Sequence, residues 1–150
     1  MSINSDKEFK TALNGLALNR QRQVAAHFID SVLSLCGDAR VVGAANAAKR
    51  ADVSEAELAA LYQAAKSASV ESFTQCGKEA DWAAQAGHFV ARAAMECVQP
   101  AADSSLAWNV AIESRMACTF AAIASGEGSE TREATAQHRI LESFLSETPS

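Results

Sequence analysis

Alanine dominates this chain, and it narrows the fold more than any other feature. It supplies 33 of the 150 residues, spread from Ala12 to Ala136. Alanine has the highest helix propensity, and its small side chain lets helices approach closely. Strand-type alternation of Val, Thr and Tyr is almost absent, and the only prolines are Pro100 and Pro149. The expected fold is all-α: a single-domain helical bundle of six to seven helices covering residues 1–150. A domain of this length buries roughly 70% of the surface its unfolded chain exposes, so it needs no disulfide or metal staple.

The helices can be placed from caps and apolar spacing. Asp6 is expected to cap a first helix carrying Phe9, Leu13 and Leu16, which Asn14-Gly15 ends or kinks. A second helix is expected from about Leu18 to Cys36, with Gly37 as a left-handed cap. A short helix follows over Arg40–Arg50. Ser54-Glu55-Ala56-Glu57 reads as a capping box opening a long helix that Gly77 closes. Glu79 and Asp81 mark the first turn of the next helix, which stops before Pro100. Asp103 or Ser104 caps a further helix with two apolar stripes. One is Leu106, Val110, Ala117, Phe120 and Ala124; the other is Trp108, Ile112, Met116 and Ile123. Two apolar sides predict a central helix. After the break SGEGSE, Ser129 to Leu145 makes a more polar outer helix.

Two segments echo each other: AAHFIDSVLSLC from Ala25 and AGHFVARAAMEC from Ala86. Each places a Cys nine residues after a His. Nine helical residues rotate by about 900°, a half-turn from the starting face, so His and Cys on one helix cannot reach one metal ion. His27 has Asp30 as a face-mate, whereas His88 has Arg92, which opposes a cation. No metal or cofactor is expected, and the two histidines are read as hydrogen-bonded or half-exposed residues flanking the core. The four cysteines, at 36, 76, 97 and 118, form no CxxC and are expected to be reduced and mostly buried.

Recognisable catalytic patterns are missing. The seven glycines form no phosphate-binding loop, and neither HExxH nor GxSxG occurs. Glu113 sits between the two apolar stripes and is expected to pair with Arg92, or with Arg115 through a neighbour. His27, His88, Arg92 and Glu113 are the candidates for a polar core or pocket. Charge is uneven: residues 1–50 hold seven Lys/Arg against four Asp/Glu, and residues 51–150 hold six against fourteen. An acidic surface repels phosphate backbones, which argues against nucleic acid, and attracts basic partners. The polar start MSINSDKEFK lacks a signal-peptide pattern, and the apolar window from Met116 is too short to span a bilayer. The expectation is a cytoplasmic protein without membrane contact, monomeric or homodimeric.

The order of LAALYQAAKSASVESF, WAAQAGHFVARAA and LAWNVAIESRMACTFAA, closed by SETREATAQHRILESFL, resembles the family of Imm5-like immunity proteins. RQVAAHFIDSVLSL and the AANAAKR helix fit that family's opening half. Glu130, Arg132, Gln137 and Leu141 fit its terminal helix. Ala86-Gly87-His88 is the best single match. The chain departs where the family often has another His, carrying Met95-Glu96-Cys97-Val98 instead. The resemblance implies an all-α protein that binds and neutralises a toxin domain in bacterial conflict; with the catalytic patterns missing, no enzymatic activity is expected. If so, the partner is expected to be basic, with Glu127, Glu130 and Glu133 as candidate contacts. The alternative is a helical domain that binds a small ligand, or acts as an enzyme, through a polar pocket.

Overall fold

The computed structural model describes residues 3–76, 82–100, 102–126 and 130–147, without the side chains of 73–76, 130–133 and 147. Among the described residues the chain is all-α. The helices are α1 (Asp6–Asn14), α2 (Leu18–Asp30), α3 (Ala39–Ala48), α4 (Glu55–Cys76), α5 (Trp82–Cys97), α6 (Leu106–Ser125) and α7 (Glu130–Glu147). A 3₁₀ turn, Leu33–Leu35, joins α2 to α3. No described helix is long and apolar enough to cross a membrane.

Helix α5 lies at the centre, packed along α4 on one side and α6 on the other. Its buried residues are Ala86, His88, Val90, Ala91, Ala93, Ala94 and Cys97. These positions run round most of the helix circumference, which small side chains permit at close helix spacing. Gly87 marks the tightest approach: a Cβ there would stand 3.0 Å from the Leu35 carbonyl of the 3₁₀ turn. Phe9, Leu13, Val24, Phe28 and Ile29 bring α1 and α2 into the same core.

Several helix ends differ from the sequence expectation. Ser5, not Asp6, caps α1, its hydroxyl accepting from the Glu8 N–H at 3.2 Å. Asp6 instead reaches Arg115 and His138, tying α1 to α6 and α7. The second helix stops at Asp30 rather than Cys36, and Ser31 donates back to the Phe28 carbonyl at 2.7 Å. Gly37 is not left-handed; among the described residues only Gly126, ending α6, has a positive φ. The half-turn argument therefore applies to His88 and Cys97 on α5 but not to His27 and Cys36. The expected capping box is half realised. Ser54 Oγ accepts from the Glu57 N–H at 3.1 Å, while the Glu57 carboxylate turns to Arg50. Gly77, Glu79 and Asp81 lie outside the described residues.

The turn between α5 and α6 is locked from a distance by two adjacent residues of α2. Arg22 donates to the Cys97 and Gln99 carbonyls at 3.2 and 2.9 Å, serving the C-terminal end of α5. Gln21 accepts from the Ala107 N–H at 3.0 Å in the first turn of α6. It donates to the Ser104 and Leu16 carbonyls at 2.8 and 3.1 Å. Helix ends leave backbone groups unpaired, and here α2 supplies the partners. Ser105, at the N-cap position of α6, makes no side-chain capping bond. Gln137 of α7 acts similarly inside the bundle, donating to the Ala111 carbonyl at 2.9 Å and accepting from Arg115 at 2.8 Å.

Candidate functional site

The four polar candidates separate into two places. His27 is exposed on α2, where Nδ1 stands 3.9 Å from Asp30 and the ring lies 6.3 Å from that of Phe144 on α7. It lines an open groove of ≈ 590 Å³ with Asp30, Ser31, Arg139, Ile140, Ser143 and Phe144. His88, Arg92 and Glu113 do not contribute to that groove. Asp30 is paired with Lys49, and Arg139 with Glu142.

His88 is buried between α5 and α4. Its Nδ1 lies 3.0 Å from both the Ser69 carbonyl and the Ser72 hydroxyl. A carbonyl can only accept, so the ring proton sits on Nδ1 for that bond to form. Burial pushes the imidazole below its ordinary proton affinity; the Ser69 bond opposes the shift and Arg92 reinforces it. A neutral, inward-turned histidine in this position pins two helices together.

Arg92 follows His88 by one turn of α5 and pairs with Glu113 of α6 at 3.2 Å. This is one of the two pairings the sequence left open; Arg115, the other candidate, binds Asp6 instead. Only one Glu113 oxygen is served, because Oε2 is buried and has no hydrogen-bond donor. Burial raises the proton affinity of Glu113, Arg92 lowers it, and Glu96 raises it further. Glu96, one turn beyond Arg92, is raised chiefly by burial as well; Arg92 opposes the shift and Asp103 adds to it. Two half-buried carboxylates thus lie near one guanidinium at this end of the α5–α6 surface, with Glu113 paired to it.

The same surface continues into an aromatic column that the sequence reading missed. Phe120 of α6 inserts between Trp82 and Phe89 of α5, stacking at 5.5 Å and 12° on the first and 5.2 Å and 19° on the second. Trp82 and Phe89 are seven residues apart, a rise of about 10.5 Å. The column therefore follows the α5 axis, with Phe120 filling the intervening turn. The Arg92 guanidinium covers the Phe89 ring at 5.3 Å. A sequence signal was available: Trp82, Phe89, Arg92 and Glu96 share one helical face.

The α6 stripe expected to be buried opens beside this column. Trp108 and Ile112 are half-buried, and Met116 and Ile123 are 36% and 45% exposed. Trp82 is 37% exposed. The other stripe is buried at Leu106, Val110 and Ala117 but not at Phe120 or Ala124. Helix α6 is thus central along one face only, since α1, α2, α5 and α7 leave its outer side uncovered.

The cysteines follow their surroundings. Cys97 is fully buried, its thiol pushed up to about 12 by burial, while Cys36 and Cys118 are half-buried. The Cys76 side chain lies outside the described residues, as do the side chains of Glu127, Glu130 and Glu133. Among the described residues, no group of three or more His, Cys, Asp or Glu side chains is placed to hold a metal ion. Compared with known proteins, the chain matches no family model, no curated protein and no solved structure.

Proposed function

We propose that this chain is an immunity-type binding protein, which neutralises a bacterial toxin domain by direct contact, and that the outer face of α5 and α6 makes the contact. The observation that carries this reading is the exposure of Trp82, Met116 and Ile123 around a stacked aromatic column. Interface centres are enriched in aromatic residues, Met and Arg, and this face offers all three. Stacked rings lose little conformational freedom on binding, so less of the contact energy is spent on ordering them. The polar residues His88, Arg92 and Glu113 serve helix pairing. The similarity of WAAQAGHFVARAA and LAWNVAIESRMACTFAA to Imm5-like immunity proteins supports the toxin-neutralising class.

The test pairs the purified protein with the toxin domain encoded beside its gene. The expected result is a stable complex and protection of cells expressing the toxin. Met116→Glu combined with Ile123→Glu should abolish both while leaving the helical signal unchanged. A genome neighbourhood without a toxin gene, or a complex indifferent to this double substitution, counts against the reading.

A second reading has one observation in its favour. The α2–α7 groove gathers His27, Asp30, Ser31, Arg139 and Ser143 over the Phe144 ring, as a small-ligand site would. Its Asp30 and Arg139 already have partners in Lys49 and Glu142, which leaves less for a ligand to satisfy.

A further inference from the structure

We infer that the partner element seated on the α5–α6 face is a basic amphipathic helix, with its apolar stripe along the Trp82–Phe120–Phe89 column and a Lys or Arg against Glu96 and Glu113. This inference rests on the binding reading above and adds the partner's shape and charge.

The shape follows from the column. Its rings repeat every 5.2–5.5 Å, which is about the 5.4 Å pitch of an α-helix. A helix laid along it brings one residue per turn beside each ring. Apolar side chains at i, i+4 and i+7 then meet Trp82, Phe120 and Phe89 in turn, the usual anchor pattern for a helix in a groove. Met116 and Ile123 stand to one side of this track as a half-exposed apolar wall.

The charge follows from the far end. Glu96 lies seven residues beyond Phe89 on the same face of α5, and Glu113 of α6 adjoins it through Arg92. Asp103 adds a third acid near Glu96. Among the described residues, three acids therefore meet a single cation here, and the Glu96 and Glu113 side chains are only half-buried. A partner cation one to two turns past the apolar triplet would supply what this end is missing. An acidic residue there would face like charge at close range and be disfavoured.

The experiment uses the full chain carrying Trp108→Phe, so that Trp82 is the only indole. Two synthetic helical peptides of about five turns share Leu at i, i+4 and i+7. They differ only in carrying Lys or Glu at i+11 and i+14. Trp82 emission is titrated with each at low and high salt. The Lys peptide is expected to bind at least about tenfold tighter than the Glu peptide at low salt, with the gap narrowing as salt screens the charges. Glu96→Gln with Glu113→Gln should bring the two peptides within about twofold, and Met116→Glu with Ile123→Glu should weaken both. Equal affinity of the two peptides, a preference that survives the double Gln variant, or no binding of either overturns the inference. A toxin complex that still depends on Met116 and Ile123 would then leave the broader binding role standing, with a partner element of different shape or charge.

Discussion

Replacing Gln21 by Leu tests whether α2 organises the α5–α6 turn on which the proposed site depends. Gln21 is fully buried and makes three hydrogen bonds, to the Leu16 carbonyl, the Ser104 carbonyl and the Ala107 N–H. Leucine has similar bulk, so the change removes the bonds without leaving a large cavity. Each orphaned buried group costs about 1–3 kcal/mol. Ala107 is fully buried and carries that cost in full, whereas Ser104 is exposed, so water can replace Gln21 at its carbonyl. The net loss should be about 2–4 kcal/mol, from a total of about 5–15 kcal/mol for a domain of this kind. For a chain of this length that lowers Tm by about 5–12 °C. Urea titration followed by circular dichroism measures the change, with the slope unaltered if the unfolded state is unaffected. Ser105→Ala is the control. An N-cap Ser ordinarily contributes about 1 kcal/mol, but here the capping bond comes from Gln21, so the loss should be under about 0.5 kcal/mol. A Gln21→Leu loss below about 1 kcal/mol, or a larger loss from Ser105→Ala, would refute the reasoning.

Three further outcomes can be measured on the same scale. Gly87→Ala should destabilise despite alanine's helix advantage of about 1 kcal/mol, because the new Cβ would press on the Leu35 carbonyl at 3.0 Å; Gly43→Ala in α3, with nothing within 4 Å, should stabilise. Melting both variants checks this, and a stabilising Gly87→Ala would show that the 3₁₀ turn yields. The Arg115 guanidinium, helped by His138, holds the Asp6 carboxyl at about 2, below its ordinary 3.8. A depressed acid contributes stability above about pH 4 that is lost as pH falls towards 2, so Asp6→Asn should be less stable at neutral pH and flatter across that window. An unchanged acid limb would contradict the pairing. In native protein Cys97 should resist a thiol reagent while Cys36 and Cys118 react first, as mass spectrometry of labelled peptides can report; rapid labelling of Cys97 would mean that the α2–α5 contact opens readily.

Much of the helical plan could be read from the sequence, because alanine bias, Ser54 with Glu57, and the break at Gly126 are local signals. The Arg92–Glu113 pair was also within reach, since each residue was an ionisable group set among apolar neighbours. The tertiary caps were harder. Gln21 and Gln137 belong to residue types usually exposed, yet both lie in apolar stripes: Gln21 with Val24, Ala25 and Phe28, and Gln137 with Leu141 and Phe144. A polar residue at a core position, next to a helix end needing partners, was the signal available. The end of α2 differs because the apolar positions recurring from Val24 to Leu35 fit both a helix and a helix followed by a 3₁₀ turn. The second stripe of α6 was misread for another reason. An apolar stripe shows that a helix face prefers to be covered, but not whether its own chain or another molecule covers it.

Hydrogen exchange of the protein alone and bound to the proposed toxin partner tests the central claim most directly. The account predicts slowed exchange in peptides from Trp82–Cys97 and Leu106–Ser125, with α2 and α7 little changed. Protection centred instead on the α2–α7 groove around His27, Arg139 and Phe144 would contradict it.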